Sequence, residues 1–129
     1  MRAKSVLSIF AFTAVVALAG PAFAEGDAAK GEKTFRKCKA CHAVEAGKNK
    51  VGPSLHNLIG RTVGTSEGFK YSKAMVAFGE SGKVWDEATL STFLEKPKTL
   101  VKGTKMAFVG LKKPADRDNV IAYLKQFSE

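Results

Sequence analysis

The pattern of apolar and polar positions changes once along the chain. Residues 5–20, "SVLSIFAFTAVVALAG", form an apolar run without a charge. From about residue 25 onward apolar residues are sparse and, where they recur, helically spaced. Asp27 is placed to cap a helix running to about Lys37, with Gly31 and Phe35 on one face at i and i+4. Residues 45–71 are rich in Gly, Ser and Asn and read as a long loop with room for one short turn. Ser72 can cap a short helix carrying Ala74, Met75 and Phe78, ended by Gly79. Asp86 caps the next, with Leu90, Phe93 and Leu94 on one stripe and Pro97 as its stop. Pro114 opens the last helix at the first helical position, where its missing N–H costs nothing. Val120, Ile121, Leu124 and Phe127 then form the buried stripe. There is no alternating strand pattern, repeat, low-complexity tract or linker, so the expectation is one all-α domain over residues 25–129.

Such a domain is short of core. A long loop without structure of its own argues against a compact domain unless something orders it. A planar apolar cofactor at the centre would supply the missing interior, with loops wrapped around it.

The apolar run at the amino end has a different origin. "MRAK" is a basic stretch ahead of it, and "PAFA" behind it places small residues at Ala22 and Ala24, the pattern of a signal-peptidase site. The alternative is an uncleaved membrane anchor, since the run approaches the ~17–25 residues a span needs. The cleavage-site pattern and the polar "EGDAAKGEK" that follows favour removal after Ala24. Residues 1–24 are therefore read as a cleaved signal peptide, and the mature chain as exported to the periplasm, soluble and without a membrane span. Loss of Arg2 and Lys4 with the leader leaves 19 basic against 12 acidic residues, a net charge of +7. A basic surface suits nucleic acid, anionic membrane or an acidic protein partner. Export argues against nucleic acid; composition alone does not separate a docking face from a solvated lysine-rich one.

The chemistry is concentrated in "RKCKACHAV", residues 36–44, which holds both cysteines of the chain, Cys38 and Cys41, with His42 directly behind. A disulfide two residues apart closes a tiny loop and adds little stability. Structural zinc needs about four Cys and His ligands, and only the distant His56 remains. A thioredoxin-like pair follows a strand, whereas a helix runs up to these cysteines. Cys-x-x-Cys-His is the attachment motif of c-type haem. Two thiols add to the vinyl groups on one side of the porphyrin, and the adjacent imidazole is aimed at the iron. A methionine opposite would stabilise reduced iron and raise its potential. Of the two methionines beyond the leader, Met75 sits in a helical stretch, where Met is usually core filler. Met106 lies in "KGTKMAF", an irregular segment able to curl over a haem face, and is the expected ligand.

The segments "GEKTFRKCKACHAVEAGKNKVGPSLHNLIGR", "GFKYSKAM", "VWDEATLSTFLEKPKTLVKGTKMAFVGLKK" and "DRDNVIAYLKQF" resemble the class I c-type cytochromes, of the mitochondrial and bacterial periplasmic c2 kinds. The resemblance spans about Gly31 to Phe127. It implies the cytochrome c fold: short helices and loops around one haem c, covalently bound through Cys38 and Cys41. It also implies His42 as proximal and Met106 as distal iron ligand. Pro53 would accept a hydrogen bond from the ligand imidazole, and Arg61, Tyr71 and Trp85 would hydrogen-bond or neutralise a haem propionate. Gly31 and Phe35 would pack on Val120 and Tyr123, Phe108 would lie beside the exposed haem edge, and His56 would stay off the iron.

The implied function is one-electron transport without catalysis. The carrier would be a monomer docking on acidic faces of membrane redox complexes. Its donor would be of the quinol–cytochrome c reductase type, its acceptor an oxidase, a photosynthetic reaction centre or a periplasmic reductase. Lys37, Lys50, Lys98, Lys105, Lys112 and Lys113 match the lysines that ring the haem edge in the family, and Lys39 and Lys102 lie beside the same motifs. A haem enzyme or gas sensor, needing an open distal position, and a haem-free thiol module are the rival readings. The chain also departs from the family pattern. Phe93 stands where mitochondrial relatives carry a tyrosine, the Tyr71–Trp85 segment is three residues longer, and Lys102 replaces a proline ahead of "GTKM".

Overall fold

The computed structural model describes residues 14–17 and 24–129. Most of the expected signal peptide, residues 1–13 and 18–23, lies outside the described residues, and so does Ala22 of the expected cleavage site. Among the described residues five helices form: α1 (Ala28–Phe35), α2 (Lys73–Glu80), α3 (Glu87–Glu95), α4 (Pro97–Leu100) and α5 (Pro114–Lys125). The one β-type pairing described is an isolated bridge between Thr62 and Val84. The all-α expectation is borne out.

The helix starts are made by local chemistry. A carboxylate oxygen of Asp27 accepts from the Lys30 amide at 3.0 Å, Ser72 Oγ from the Met75 amide at 3.1 Å, and Asp86 from the Thr89 amide at 2.7 Å. Each satisfies one amide that a helix leaves unpaired at its start. The ends differ more from expectation. α1 stops at Phe35, two residues before Lys37, because the chain tightens there into successive turns that carry the cysteines. α2 continues through Gly79 to Glu80. A Cβ at Gly79 would stand 1.9 Å from the Val63 carbonyl oxygen, so that glycine serves a close approach within the helix. The reversal comes at Gly82, with φ of +86°. Pro97 is not only a stop for α3; it is also the first residue of α4, an element absent from the sequence reading.

The helices pack as a crossing and a cover. α1 meets α5 so closely that a Cβ on Gly31 would lie 1.9 Å from the Asn119 carbonyl oxygen. Phe35 stacks on Tyr123 with ring centroids 5.2 Å apart, and the Asp27 amide donates to Asn119 Oδ1 at 2.8 Å. Val120, Ile121 and Leu124 are buried as expected, while Phe127 is half-buried against Tyr123. α3 lays Leu90, Phe93 and Leu94 into the same core, where Phe93 packs against Trp85 at 4.9 Å.

The 45–71 segment forms no helix, as expected, but its order does not rest on a central group alone. Ser54 Oγ donates to the Glu45 carbonyl at 2.6 Å, Asn49 Oδ1 accepts from the Ser54 amide, and Asn49 Nδ2 donates to the Glu67 carbonyl. Further along, the Gly60 amide donates to the Trp85 carbonyl and the Trp85 amide to the Arg61 carbonyl, both at 2.9 Å. Polar side chains thus take up backbone groups that regular structure would otherwise satisfy.

The glycine contacts make a graded prediction. Gly31→Ala drives a methyl into backbone and should cost about 3 kcal/mol, the upper end of ordinary overpacking. Gly82→Ala meets open space and should cost only its left-handed strain, about 1–2 kcal/mol. Denaturant midpoints of the haem-loaded variants measure both.

Candidate haem site

The turn after α1 builds the site. The amide of Cys41 donates to the Cys38 carbonyl at 3.0 Å, and that of His42 to the same oxygen at 2.9 Å. Cys38 is half-buried and Cys41 exposed, and the two are not joined to each other. Burial pushes the Cys38 thiol up to about 11.

His42 is held from behind. Its Nδ1 lies 2.8 Å from the Pro53 carbonyl oxygen, which accepts only, so Nδ1 carries the proton and Nε2 keeps a free lone pair. A Cβ on Gly52 would come within 2.4 Å of the imidazole Cε1, so a glycine is what lets this loop sit against the ring. Burial lowers the His42 pKa; the Pro53 bond opposes that shift and Lys50 adds to it. The imidazole is therefore held neutral, the form that can bind a metal.

His42 lines two cavities, a wider one of about 230 Å³ and a narrow one of about 50 Å³. Cys38, His42 and Met106 line both, which makes them two parts of one slot. Cys41, Tyr71, Phe108, Lys37 and Lys105 line the wider part. Leu55, Leu58, Leu90 and Leu94 wall the narrow part. Met106 is half-buried, and its amide donates to Thr104 Oγ1 at 3.3 Å. A larger recess of about 620 Å³, between the start of α1 and helices α3 and α5, has no sulfur or imidazole in its walls.

Not every residue singled out from the sequence lines the slot. Pro53 acts through His42. Trp85 is buried behind Phe78 and Phe93, joined by backbone hydrogen bonding to Arg61. Arg61 donates from Nη1 to the His56 carbonyl at 3.0 Å and from Nη2 to the Ser54 carbonyl at 3.3 Å. Its Nε is buried without a partner. The Tyr71 hydroxyl oxygen accepts from the Ser66 amide at 3.0 Å, leaving its own proton to donate. An orphaned guanidinium N–H is suited to an anionic oxygen, and so is a hydroxyl with its proton free to donate. Two thiols, a neutral imidazole, a thioether, apolar walls and these two donors fit a haem.

Sequence reasoning missed Phe69, Ser72, Thr104 and Met75 as slot-lining residues. Met75 is buried core, as expected, yet its side chain also faces the slot. No local signal marked it, because helical periodicity shows which face is inward and not what that face meets.

A family model for cytochrome c matches residues 28–128. The chain is 52% identical to cytochrome c2 of Afifella marina over 100 residues, 77% of this chain and 81% of that protein. It is 47% identical to cytochrome c-554 of Methylosinus trichosporium over 128 residues, 98% of this chain and 95% of the relative. Among solved structures, cytochrome c2 from Rhodospirillum centenum superposes with a TM-score of 0.77 at 40% identity, covering 81% of this chain and all of that one. The chain belongs to the cytochrome c family. It is accordingly an electron carrier and not an enzyme, and its cofactor is one haem c bound covalently through Cys38 and Cys41.

Covalent attachment is directly testable. Acid–acetone treatment should leave the haem on the polypeptide, and replacing both Cys38 and Cys41 by alanine should send it into the organic phase.

Proposed function

We propose that this chain is an exported, periplasmic one-electron shuttle between membrane redox complexes, in which His42 and Met106 would hold the haem iron. The observation that carries the reading is the shared lining of the slot by Cys38, His42 and Met106. Bound haem supplies a single ferrous–ferric couple. The Pro53 carbonyl orients the His42 imidazole and makes Nε2 more basic. The Met106 thioether would favour the reduced state and, together with His42, would leave no open position for oxygen or peroxide. Arg61 Nε and the Tyr71 hydroxyl would take a propionate, with Trp85 fixing the Arg61 backbone through its own backbone hydrogen bond. The leucines of the narrow wall exclude water from the ligand side.

Export rests on the leader pattern, and the alignment with cytochrome c-554 is long enough to include that leader. No helix among the described residues is long and apolar enough to cross a membrane. At the mouth of the slot, Lys37 and Lys105 are exposed, and Lys39, Lys50, Lys98, Lys102, Lys112 and Lys113 are exposed as well. A positive rim of this kind suits an acidic docking face on a quinol–cytochrome c reductase-type donor and on an oxidase or reaction-centre acceptor.

Met106→Ala should let azide or carbon monoxide bind readily and should lower the potential, because the reduced state loses its thioether donor. Met75→Leu should cost less than about 1.5 kcal/mol and keep the methionine–iron charge-transfer band. The band surviving Met106→Ala and vanishing in Met75→Leu would reverse the assignment.

Electron transfer should slow steeply with salt, since screening cuts the electrostatic reach from ~30 Å at 0.01 M to ~8 Å at 0.15 M. Steering of this kind raises rates roughly 10–1000-fold. At low salt Lys105→Glu should slow transfer far more than Lys125→Glu in the last turn of α5. Stopped-flow rates with a purified membrane complex measure both, and equal effects would leave the lysines as mere solubilising charge.

A further inference from the structure

Met106 sits on a strap between α4 and α5 that the rest of the protein hydrogen-bonds only at its ends, while the Met106 and Phe108 side chains pack against the core between them. Among the described residues, no hydrogen bond ties residues 105–110 to another part of the chain; the Met106 amide reaches only Thr104, within the strap. The first end is a helical one, where the Val101 amide donates to the Pro97 carbonyl at 2.9 Å and the Val101 side chain is buried. The second end is held differently. Gly110 lies so close to the end of α3 that a Cβ would stand 2.0 Å from the Glu95 carbonyl oxygen. The Leu111 amide donates to the Leu94 carbonyl at 2.7 Å.

The same end is gripped by Arg117, a long charged side chain on α5 that is only 9% exposed. Its guanidinium reaches across the chain and not to a carboxylate. Nη1 donates to the carbonyls of Leu111 at 2.7 Å and Lys112 at 3.0 Å, and Nε donates to Ser91 Oγ on α3 at 3.1 Å. Burying a guanidinium is costly, and its hydrogen bonds to neutral acceptors offset that cost only while all three elements keep their places. One side chain therefore joins α3, α5 and the strap, just beyond the stretch that has no hydrogen bonds to its surroundings.

We propose that Arg117 is the positioning residue for Met106: by clamping the Leu111 and Lys112 carbonyls it sets the length of free strap and keeps the thioether from swinging off the iron. The proposal rests on the reading of Met106 as distal ligand. Arg117 touches neither sulfur nor the slot, so its removal should not change which group binds but how often that group is absent. An external ligand binds in proportion to the fraction of molecules whose distal position is open.

The test uses haem-loaded protein in three variants. Arg117→Gln should bind azide in the ferric state about tenfold more tightly, through a larger open fraction. It should also weaken the methionine–iron charge-transfer band and speed hydrogen exchange of the Leu111 amide. Ile121→Ala, a core truncation on the same helix, away from the slot, controls for general loss of stability. At a comparable fall in denaturation midpoint it should leave azide affinity and the band near the parent values. Arg117→Lys keeps the charge but not the fork of donors; it should fall between parent and Gln variant, and it carries the test if the Gln variant does not fold. Equal azide affinities in the Arg117 and Ile121 variants, with Met106→Ala lacking the band, would overturn the anchor while leaving the ligand in place. A band that survives Met106→Ala would overturn the ligand assignment itself.

Discussion

Helices α1 and α5 cross with bare backbone between them at Gly31, and both sides of the haem slot hang from that contact. α1 ends one turn later at Phe35, against Tyr123 of α5, and the chain turns at once into the segment that displays Cys38, Cys41 and His42. α5 in turn carries Arg117, which holds the end of the Met106 strap. A side chain wedged into the crossing would separate the two helices and so shift the proximal turn against the distal strap. The axial pair we propose depends on that distance being held by something stiffer than the strap itself. Backbone packed on backbone is stiff because interiors are close-packed and have little room to yield.

The slot separates two electrostatic tasks. Inside it, His42 is kept neutral by burial and Met106 brings no charge, so under the ligation we propose a change of oxidation state would meet neutral protein groups. Fixed neutral groups respond little when one electron arrives or leaves, which suits a carrier. The guanidinium of Arg61 keeps a spare buried N–H, whose hydrogen bonding a carboxylate on the cofactor would complete. Outside, the charge is all of one sign at the mouth, where Lys37 and Lys105 lie in water. Charges there act over a Debye length and govern encounter, whereas the groups inside act at contact and govern potential.

The loop between Glu45 and Tyr71 shows how a segment without regular structure can still position chemistry. It supplies the Pro53 carbonyl behind His42 and the Arg61 guanidinium, two functions that need fixed atoms. Asn49, Ser54 and Asn57 fix it by bonding to backbone at Glu67, Glu45 and Glu129. A cofactor was the expected source of this order; the side chains provide part of it.

What the sequence determined by itself was whatever its chemistry settles among near neighbours. Asp27, Ser72 and Asp86 cap helices because a side-chain oxygen reaches an amide three residues on, and Pro114 starts one because its ring fits only there. Cys38 and Cys41 announce a covalent haem for the same reason: both attachment points, with His42 directly behind, lie within one turn of chain. Tertiary structure alone decided the features that join distant segments. Gly79 read as a helix end because nothing nearby reveals that the Val63 carbonyl presses on it. α4 is four residues, too short to carry a period. Met75 was legible as core but not as a wall of the slot, and Arg117 as a charged helix residue but not as a clamp on Leu111 and Lys112. Hydrogen bonds from one residue to another three positions on depend on spacing along the chain; a contact across the molecule depends on where the whole fold brings two backbones together.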